Sequence, residues 1–184
     1  ITSRAMNGEF EFGAALRERV GLLKGLDVAV IDRVLAERIT LAPGAATLIA
    51  TMRARGCYTA LVSGGFTAFT SAIAGRLGMD EHRANTLLQA DGKLTGEVGL
   101  PILGADAKVE ALAAISERRG VEAGDVLAVG DGANDLPMLK IAGLGVAAHA
   151  KPTVRAKAPA QINHADLTAL LYLQGIPKDE FLHA

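Results

Sequence analysis

Two carboxylates and an amide stand close together directly after an apolar run in this sequence. Asp131, Asn134 and Asp135 lie within five residues of one another, and glycines flank the first of them. A hard divalent cation such as Mg²⁺ prefers oxygen ligands of this kind. Turn formation and helix capping would explain the same residues, although a cap needs only one of them. Because two carboxylates would repel a pyrophosphate, the pattern favours a metal site over a dinucleotide-binding loop.

A hydroxyl and two glycines, Ser63, Gly64 and Gly65, stand between a β-prone run and a predicted helix. Free backbone amides and the positive end of a helix dipole suit a phosphate there, with the Ser63 hydroxyl as a further donor. A tight strand-to-helix turn with Ser63 as the N-cap explains the residues equally well. The residues alone leave both interpretations open.

Two cations stand in unusual positions. Lys108 lies in the first turn of a predicted helix, where the helix dipole opposes a positive charge by ~0.3–1 kcal/mol, and this indicates a nearby anion. A solvated surface lysine is the alternative. Arg19 falls in an apolar stripe formed by Phe12, Leu16 and Leu23 at helical spacing. Its guanidinium either extends past its neighbours into solvent or binds an anion in a sheltered cleft.

Histidine and cysteine show no further chemical pattern. The four histidines, for which we expect surface or structural roles, are His82, His149, His164 and His183. Cys57 is the only cysteine and has no activating base nearby in sequence, which favours a role in core packing. A single cysteine excludes an intrachain disulfide and fits a reducing compartment such as the cytoplasm.

The elements that must position these residues alternate between strand and helix after Pro43. Apolar strands are predicted at 57–62, 126–129, 144–147 and near 161–163. Helices are predicted at 45–55, 66–77, 107–119 and 136–141, after Pro152 and from residue 166. This order predicts a parallel sheet covered on both faces, with ligands bound at the carboxyl ends of the strands.

Other elements are predicted outside this pattern. Residues 8–25 and 28–38 read as two helices, the second capped by Asp27, before a boundary near residue 40. Asp91 and Gly92 separate two β-prone runs, 84–90 and 93–98, and such a pair is a strong signal for a two-residue hairpin.

Composition excludes several classes of protein. The 184-residue chain has 19 Lys+Arg against 20 Asp+Glu, so it lacks the positive field that nucleic-acid binding needs. Aromatic residues make up only 4%, too few for a base-stacking surface. No stretch approaches the ~20 apolar residues of a membrane helix, so we expect a soluble protein. The sequence leaves the oligomeric state open.

Five segments together resemble a known family. They are ALRERVGLLKGL (15–26), LVSGGF (61–66), DGKLTGEV (91–98), ADAK (105–108) and VGDGANDLPML (129–139). In this order they are similar to the phosphoserine phosphatases of the haloacid-dehalogenase-like superfamily. The resemblance implies an α/β fold, with a Rossmann-like three-layer core around a parallel sheet (41–184) and part of a small helical cap (1–40). It also implies Mg²⁺-dependent hydrolysis of O-phospho-L-serine through an aspartyl-phosphate, the last step of serine biosynthesis.

The resemblance assigns roles to individual residues. Ser63 and Gly64 would contact the phosphoryl group, and Lys108 would neutralise it. Asp131 would ligate the metal, while Asn134 and Asp135 would position the substrate and metal-bound water. The cap would supply Met6, Phe12 and Arg19, with Arg19 binding the substrate carboxylate as a bidentate pair.

One family motif does not occur in this sequence. The Asp-x-Asp-x-Thr/Ser motif, which carries the nucleophile and the general acid/base, would lie upstream of Ile1 after a central strand. We therefore expect a piece of a longer protein, inactive by itself, in which the strands ending at Ser63 and Asp131 either pair or each keep an unpaired edge. The alternatives are a related small-metabolite phosphatase or phosphotransferase, and a binding module that has lost its nucleophile.

Overall fold

A computed structural model describes residues 12–104 and 106–182, and these residues form two compact units. The first unit contains 12–41 and Thr59–Gly104, and the second contains Ala42–Tyr58 and 106–182. Met6 and His183 lie outside the described residues. The expected division into a cap over 1–40 and a core over 41–184 stays a prediction.

Strands and helices alternate along the second half of the chain as the sequence predicts, which confirms the α/β class. In chain order the elements are α1 (Phe12–Gly21), α2 (Ala29–Glu37), α3 (Ala45–Ala54), β1 (Ala60–Phe66), α4 (Thr67–Leu77), β2 (Glu81–Asn85), β3 (Leu87–Ala90), β4 (Lys93–Val98), α5 (Asp106–Arg119), β5 (Leu127–Gly130), α6 (Leu136–Ile141), β6 (Leu144–Ala148), α7 (Pro152–Arg155), β7 (Ala160–Ile162) and α8 (Ala169–Leu173). None of the described helices is both long enough and apolar enough to cross a membrane.

The first unit combines a parallel strand pair with an antiparallel hairpin. β1 pairs in parallel with β2, and β3 pairs with β4. The hairpin turn is formed by Asp91 and Gly92, both at positive φ (50° and 74°), which confirms the predicted two-residue turn. Helix α1 packs on β4 because Leu16 and Val20 on its inner face meet Val98.

The second unit is built around the parallel sheet β5-β6-β7. Neighbouring residues on β6 enter different clusters: Val146 packs with Leu170 and Leu171 on one face, and Ala147 packs with Leu112 and Leu139 on the other. Because side chains alternate across a strand, β6 directs apolar side chains at the helices on both faces of the sheet. The strand is therefore apolar along its whole length.

Strands β1 and β5 each keep one edge that no described strand pairs with. In their respective sheets β1 pairs only with β2, and β5 only with β6. This is one of the two arrangements expected for a sheet that lacks a central strand.

Two boundaries in the first unit differ from the predictions. β1 continues through both glycines to Phe66, which has extended φ and ψ of −127° and 144° and is the N-cap of α4. The predicted end of this strand at residue 62 is therefore wrong, and so is the interpretation of Ser63 as an N-cap. The single strand predicted over 84–90 is also wrong, because β2 ends at Asn85 and β3 begins at Leu87.

The last helix begins later than predicted. A turn precedes it, in which the carboxylate of Asp166 accepts hydrogen bonds from the hydroxyl (2.5 Å) and the backbone N–H (2.8 Å) of Thr168. These bonds, chiefly that from the hydroxyl, hold the pKa of Asp166 below its ordinary value. Because these residues form a turn, α8 starts only at Ala169.

Close packing between β6 and α6 makes Gly145 sensitive to substitution. A β-carbon at position 145 would stand 1.8 Å from the carbonyl oxygen of Leu139. Gly145→Ala should lower the free energy of unfolding by about 3 kcal/mol, the upper part of the range for overpacking. Urea denaturation followed by circular dichroism measures this loss.

Gly75 provides the matched control. It is exposed on α4 and a β-carbon there meets no atom within 4 Å. Gly75→Ala should raise the free energy of unfolding by ~0.5–1 kcal/mol, because alanine loses less backbone entropy on folding. Equal stability of the two variants would contradict the contact between β6 and α6.

Candidate functional site

The loop after β5 turns sharply, and Gly130 makes this turn sterically possible. β5 ends at Gly130, and a short 3₁₀ turn, Ala133–Asp135, leads into α6. A β-carbon at position 130 would stand 2.4 Å from the Asp135 side chain. Only glycine leaves room for the Asp135 carboxylate to fold beneath the loop.

Asp135 holds this loop from the inside. The residue is 2% exposed. One carboxylate oxygen, Oδ2, accepts the backbone N–H groups of Asp131 (3.0 Å) and Gly132 (2.9 Å). The other oxygen, Oδ1, accepts a hydrogen bond from the ammonium of Lys108. Both oxygens are therefore engaged, and Asp135 fixes the course of the backbone around Asp131.

Lys108 lies in the first turn of α5 with its side chain 12% exposed. The anion that its position indicates is present as the Asp135 carboxylate, and the alternative of a solvated surface lysine is wrong. The ion pair offsets both the cost of burying two charges and the unfavourable helix dipole. A cation is thereby held beside the loop that follows β5.

Asp131 and Asn134, by contrast, are exposed on the loop. No hydrogen bond or ion pair joins the Asp131 carboxylate to another described residue. Asp131 lines a cavity of about 280 Å³ at the carboxyl ends of two strands of the second unit. The other lining residues are Ala42, Pro43, Val129, Gly130, Ala148, His149 and Leu167. The cavity lies at the edge of the sheet where ligands of parallel sheets bind.

The donor set of this loop fits part of a Mg²⁺ site. Mg²⁺ keeps several waters and is commonly bound through only one or two carboxylates. Asp131 offers one free carboxylate, and the bound Asp135 can act only by orienting its neighbours. Within residues 12–104 and 106–182, no three acidic, histidine or cysteine side chains converge on one point. The loop supplies one ligand and the frame that positions it.

The other predicted site residues belong to the first unit. The Oγ of Ser63 accepts the backbone N–H of Gly65 at 3.0 Å. The ring of Phe12 lies over Gly64, since a β-carbon on this glycine would stand 3.3 Å from Cζ of the ring. The structure thus brings Phe12, Ser63 and Gly64 to one place, as their assigned roles require.

Arg19 lies in the last turn of α1. The buried residues of this helix are Ala15, Leu16 and Val20, while Arg19 is exposed. Since residues four apart share a helix face, Arg19 lies next to the buried Ala15, and its exposure fits a guanidinium that extends past its neighbours into solvent. No hydrogen bond or ion pair joins the Arg19 guanidinium to another described residue, so it is available to bind an anion.

Sequence reasoning missed Asn85, which is 1% exposed. Its amide Nδ2 donates to the carbonyl oxygens of Gly64 (3.0 Å) and Leu103 (3.3 Å), and its Oδ1 accepts the N–H of Leu103 at 2.7 Å. The available signal in the sequence was an uncharged amide at the second position of the strand predicted over 84–90.

Comparison with known proteins gives a consistent result. A family model described as haloacid dehalogenase-like hydrolase matches residues 5–140. The chain is 47% identical over 180 residues to the phosphoserine phosphatase of Streptomyces coelicolor, an alignment that covers 98% of this chain and 44% of that protein. It is 46% identical over 167 residues to the phosphoserine phosphatase of Streptococcus thermophilus, covering 91% of this chain and 77% of that protein.

A solved structure has the same fold. The crystal structure of a probable phosphoserine phosphatase from Vibrio cholerae, in unliganded form, matches with a TM-score of 0.88 and 41% identity. The match covers 95% of this chain and 54% of that chain. The chain spans about half the length of several curated relatives that it matches.

The buried ion pair predicts a large loss of stability when one partner is removed. Lys108→Met should lower the free energy of unfolding by about 3–5 kcal/mol, because it leaves a buried carboxylate without its ammonium. Adding Asp135→Asn to this variant should restore part of the loss, since the uncompensated charge is gone. Urea denaturation of both single variants and the double variant measures the coupling.

An exposed ion pair in the same unit serves as the control. Arg55 pairs with Glu180 at 2.5 Å, with side chains 46% and 49% exposed. Arg55→Met should cost at most about 1 kcal/mol. If Lys108→Met costs no more than the control, Asp135 does not depend on its buried cation.

Proposed function

The chain belongs to the haloacid dehalogenase-like hydrolase family, and from this we propose that the whole protein is a Mg²⁺-dependent phosphoserine phosphatase. It would convert O-phospho-L-serine and water into L-serine and phosphate. The observation that carries the proposal is the buried pair of Lys108 and Asp135 beneath the exposed carboxylate of Asp131. A fixed cation and a carboxylate that could hold a metal ion, both beside one strand end, would stabilise the charge of a phosphoryl group during its transfer.

The second unit would provide the electrostatic part of the site. Asp131 would hold the metal ion, with Asp135 keeping its backbone in place and Asn134 orienting substrate. When bound, Mg²⁺ would neutralise charge on the phosphoryl oxygens and so reduce their repulsion of an attacking carboxylate. The Lys108 ammonium would share a phosphoryl oxygen while it stays anchored on Asp135, which avoids the entropic cost of ordering a free lysine during the reaction.

The first unit would bind and orient the substrate. The Ser63 hydroxyl and the backbone of Gly64 would contact the phosphoryl group. The Phe12 ring over Gly64 would exclude water from this contact, and the family resemblance assigns Met6 to substrate binding as well. Arg19, which is free of other partners among the described residues, would bind the carboxylate of phosphoserine in bidentate fashion.

The attacking group in this proposal comes from the Asp-x-Asp motif that the family resemblance implies and that residues 1–184 do not contain. Its first carboxylate would attack phosphorus, form an acyl phosphate and release the serine alkoxide, which the second aspartate would protonate. Water would then hydrolyse the acyl phosphate and regenerate the carboxylate. The reaction would complete serine biosynthesis, and the single cysteine supports a cytoplasmic location.

We expect Asp131→Asn to remove most of the activity of the full-length protein. The release of phosphate from phosphoserine should depend on Mg²⁺ and fall at least about 100-fold in this variant, because the metal contributes several kcal/mol to the transition state. The Mg²⁺ dissociation constant, measured by calorimetry, should rise in parallel. Asp125→Asn, at the opposite end of β5, is the control and should leave both quantities unchanged. Full activity of Asp131→Asn would remove the metal assignment.

The substrate carboxylate gives an independent test. Arg19→Ala should raise KM for phosphoserine about 10- to 100-fold, since charge-assisted hydrogen bonds to one carboxylate are lost. KM for phosphoethanolamine, which lacks the carboxylate, should change little. Arg17→Ala, an exposed arginine on the same helix, should affect neither substrate. Equal losses on both substrates would contradict the carboxylate clamp and favour a different phosphomonoester.

A further inference from the structure

A buried amide supports the irregular end of β1, which contains Ser63 and Gly64. Asn85 lies at the end of β2 and is almost fully enclosed. Its side chain makes three hydrogen bonds, all to backbone atoms: one to Gly64 and two to Leu103. An asparagine amide has two donor hydrogens and an acceptor oxygen, and here each of them has a partner. The side chain therefore has one preferred orientation.

The peptide group between Gly64 and Gly65 is held at both ends. Its carbonyl oxygen accepts a hydrogen bond from Asn85 at 3.0 Å, and its N–H donates to the Oγ of Ser63 at 3.0 Å. Because the peptide group is planar, fixing the carbonyl also fixes the direction of the N–H. Without these two hydrogen bonds the peptide plane would rotate easily, because the glycines at its two ends restrict the backbone less than any other residue would.

The Ser63 hydroxyl is the last member of this chain of contacts. Its oxygen accepts the Gly65 N–H, so its own hydrogen stays available to donate to another group. The Gly65 N–H occupies one side of the Ser63 oxygen and so limits the directions in which the hydroxyl can donate. The Gly65 N–H is itself oriented through the Gly64 carbonyl, which Asn85 holds. Asn85 also fixes Leu103, whose neighbour Gly104 lies against the Phe12 ring: a β-carbon on this glycine would stand 3.6 Å from Cδ1.

We propose that Asn85 is a positioning residue for phosphate binding: through the Gly64 carbonyl it orients the Gly64–Gly65 peptide and thereby aims the Ser63 hydroxyl at the phosphoryl group. The proposal rests on the proposed function, because it assumes that the end of β1, at Ser63 and Gly64, binds a phosphoryl oxygen. Asn85 touches no reacting atom itself. Asn85 acts by keeping the glycine-rich end of β1 in one of the several conformations that this segment could adopt.

The test compares Asn85→Ala and Asn85→Ser with Thr70→Val in the full-length protein. Thr70 is a suitable control because it is a buried polar residue of the same unit, 7% exposed, whose hydroxyl bonds His82 at 3.1 Å. Calorimetry gives the dissociation constant of inorganic phosphate, and turnover of phosphoserine gives kcat and KM. Thermal unfolding shows which variants fold, and all binding is measured well below the midpoint.

Asn85→Ala should weaken phosphate binding at least about tenfold and lower kcat/KM on the order of 100-fold, as expected when a binding group is displaced by about an ångström. Asn85→Ser, whose hydroxyl can still donate one hydrogen bond, should fall between Asn85→Ala and the wild type. Thr70→Val should change both quantities less than about threefold even where its loss of stability is similar. If Asn85→Ala does not fold, Asn85→Ser carries the comparison.

A phosphate dissociation constant within threefold of wild type in a folded Asn85 variant would overturn the proposal, because Asn85 would then contribute to folding alone. The wild-type measurements separate this inference from the proposed function. A wild type that binds phosphate without hydrolysing phosphoserine rejects the function, and the effect of Asn85 is then judged on phosphate binding. A wild type that binds no phosphate overturns the positioning role as well.

Discussion

The Asp135 carboxylate, buried and bonded on both oxygens, is the constraint on which the loop after β5 depends. It holds two backbone amides on one side and the Lys108 ammonium on the other. A carboxylate so deeply buried would be very costly without this cation, and the cation at a helix N-terminus would be unfavourable without the carboxylate. Each charge therefore accounts for the presence of the other. The conformation of the loop, with Asp131 exposed at its tip, follows from the pair.

The same arrangement of support and exposure recurs in the first unit. There a buried amide, Asn85, fixes the peptide that follows Ser63, as Asp135 fixes the peptides around Asp131. Glycines occur in both segments, at the irregular end of β1 and in the loop after β5, and in each a buried polar side chain restricts the freedom that glycine brings. The Ser63 hydroxyl and the Asp131 carboxylate, to which the proposed function assigns binding roles, are each carried by backbone that a buried side chain holds in place. Such preorganisation lowers the entropic cost of binding.

Local patterns in the sequence predicted much of this, and the failures concern contacts between distant residues. The hairpin at Asp91 and Gly92 was predictable because the turn depends on those two residues alone. The position of Asp131 directly after an apolar strand was predictable for the same reason, while its role as a metal ligand stays a prediction. The role of Asn85 was not predictable, since its partner Leu103 is 18 residues away and its contacts are with backbone atoms. The end of β1 was misplaced because two glycines indicate a turn, whereas the strand continues through an irregularity over 63–65 and pairs with β2 again at Phe66.

The steric contact between Gly130 and Asp135 limits how this chain can diverge over evolutionary time. A side chain at position 130 would overlap the Asp135 carboxylate, so this position can accept one only after Asp135 has been replaced by a smaller residue. That exchange in turn would leave Lys108 buried without its counter-ion. Positions 108, 130 and 135 are therefore coupled, and a change at any one of them alone is expected to lower the stability of the fold.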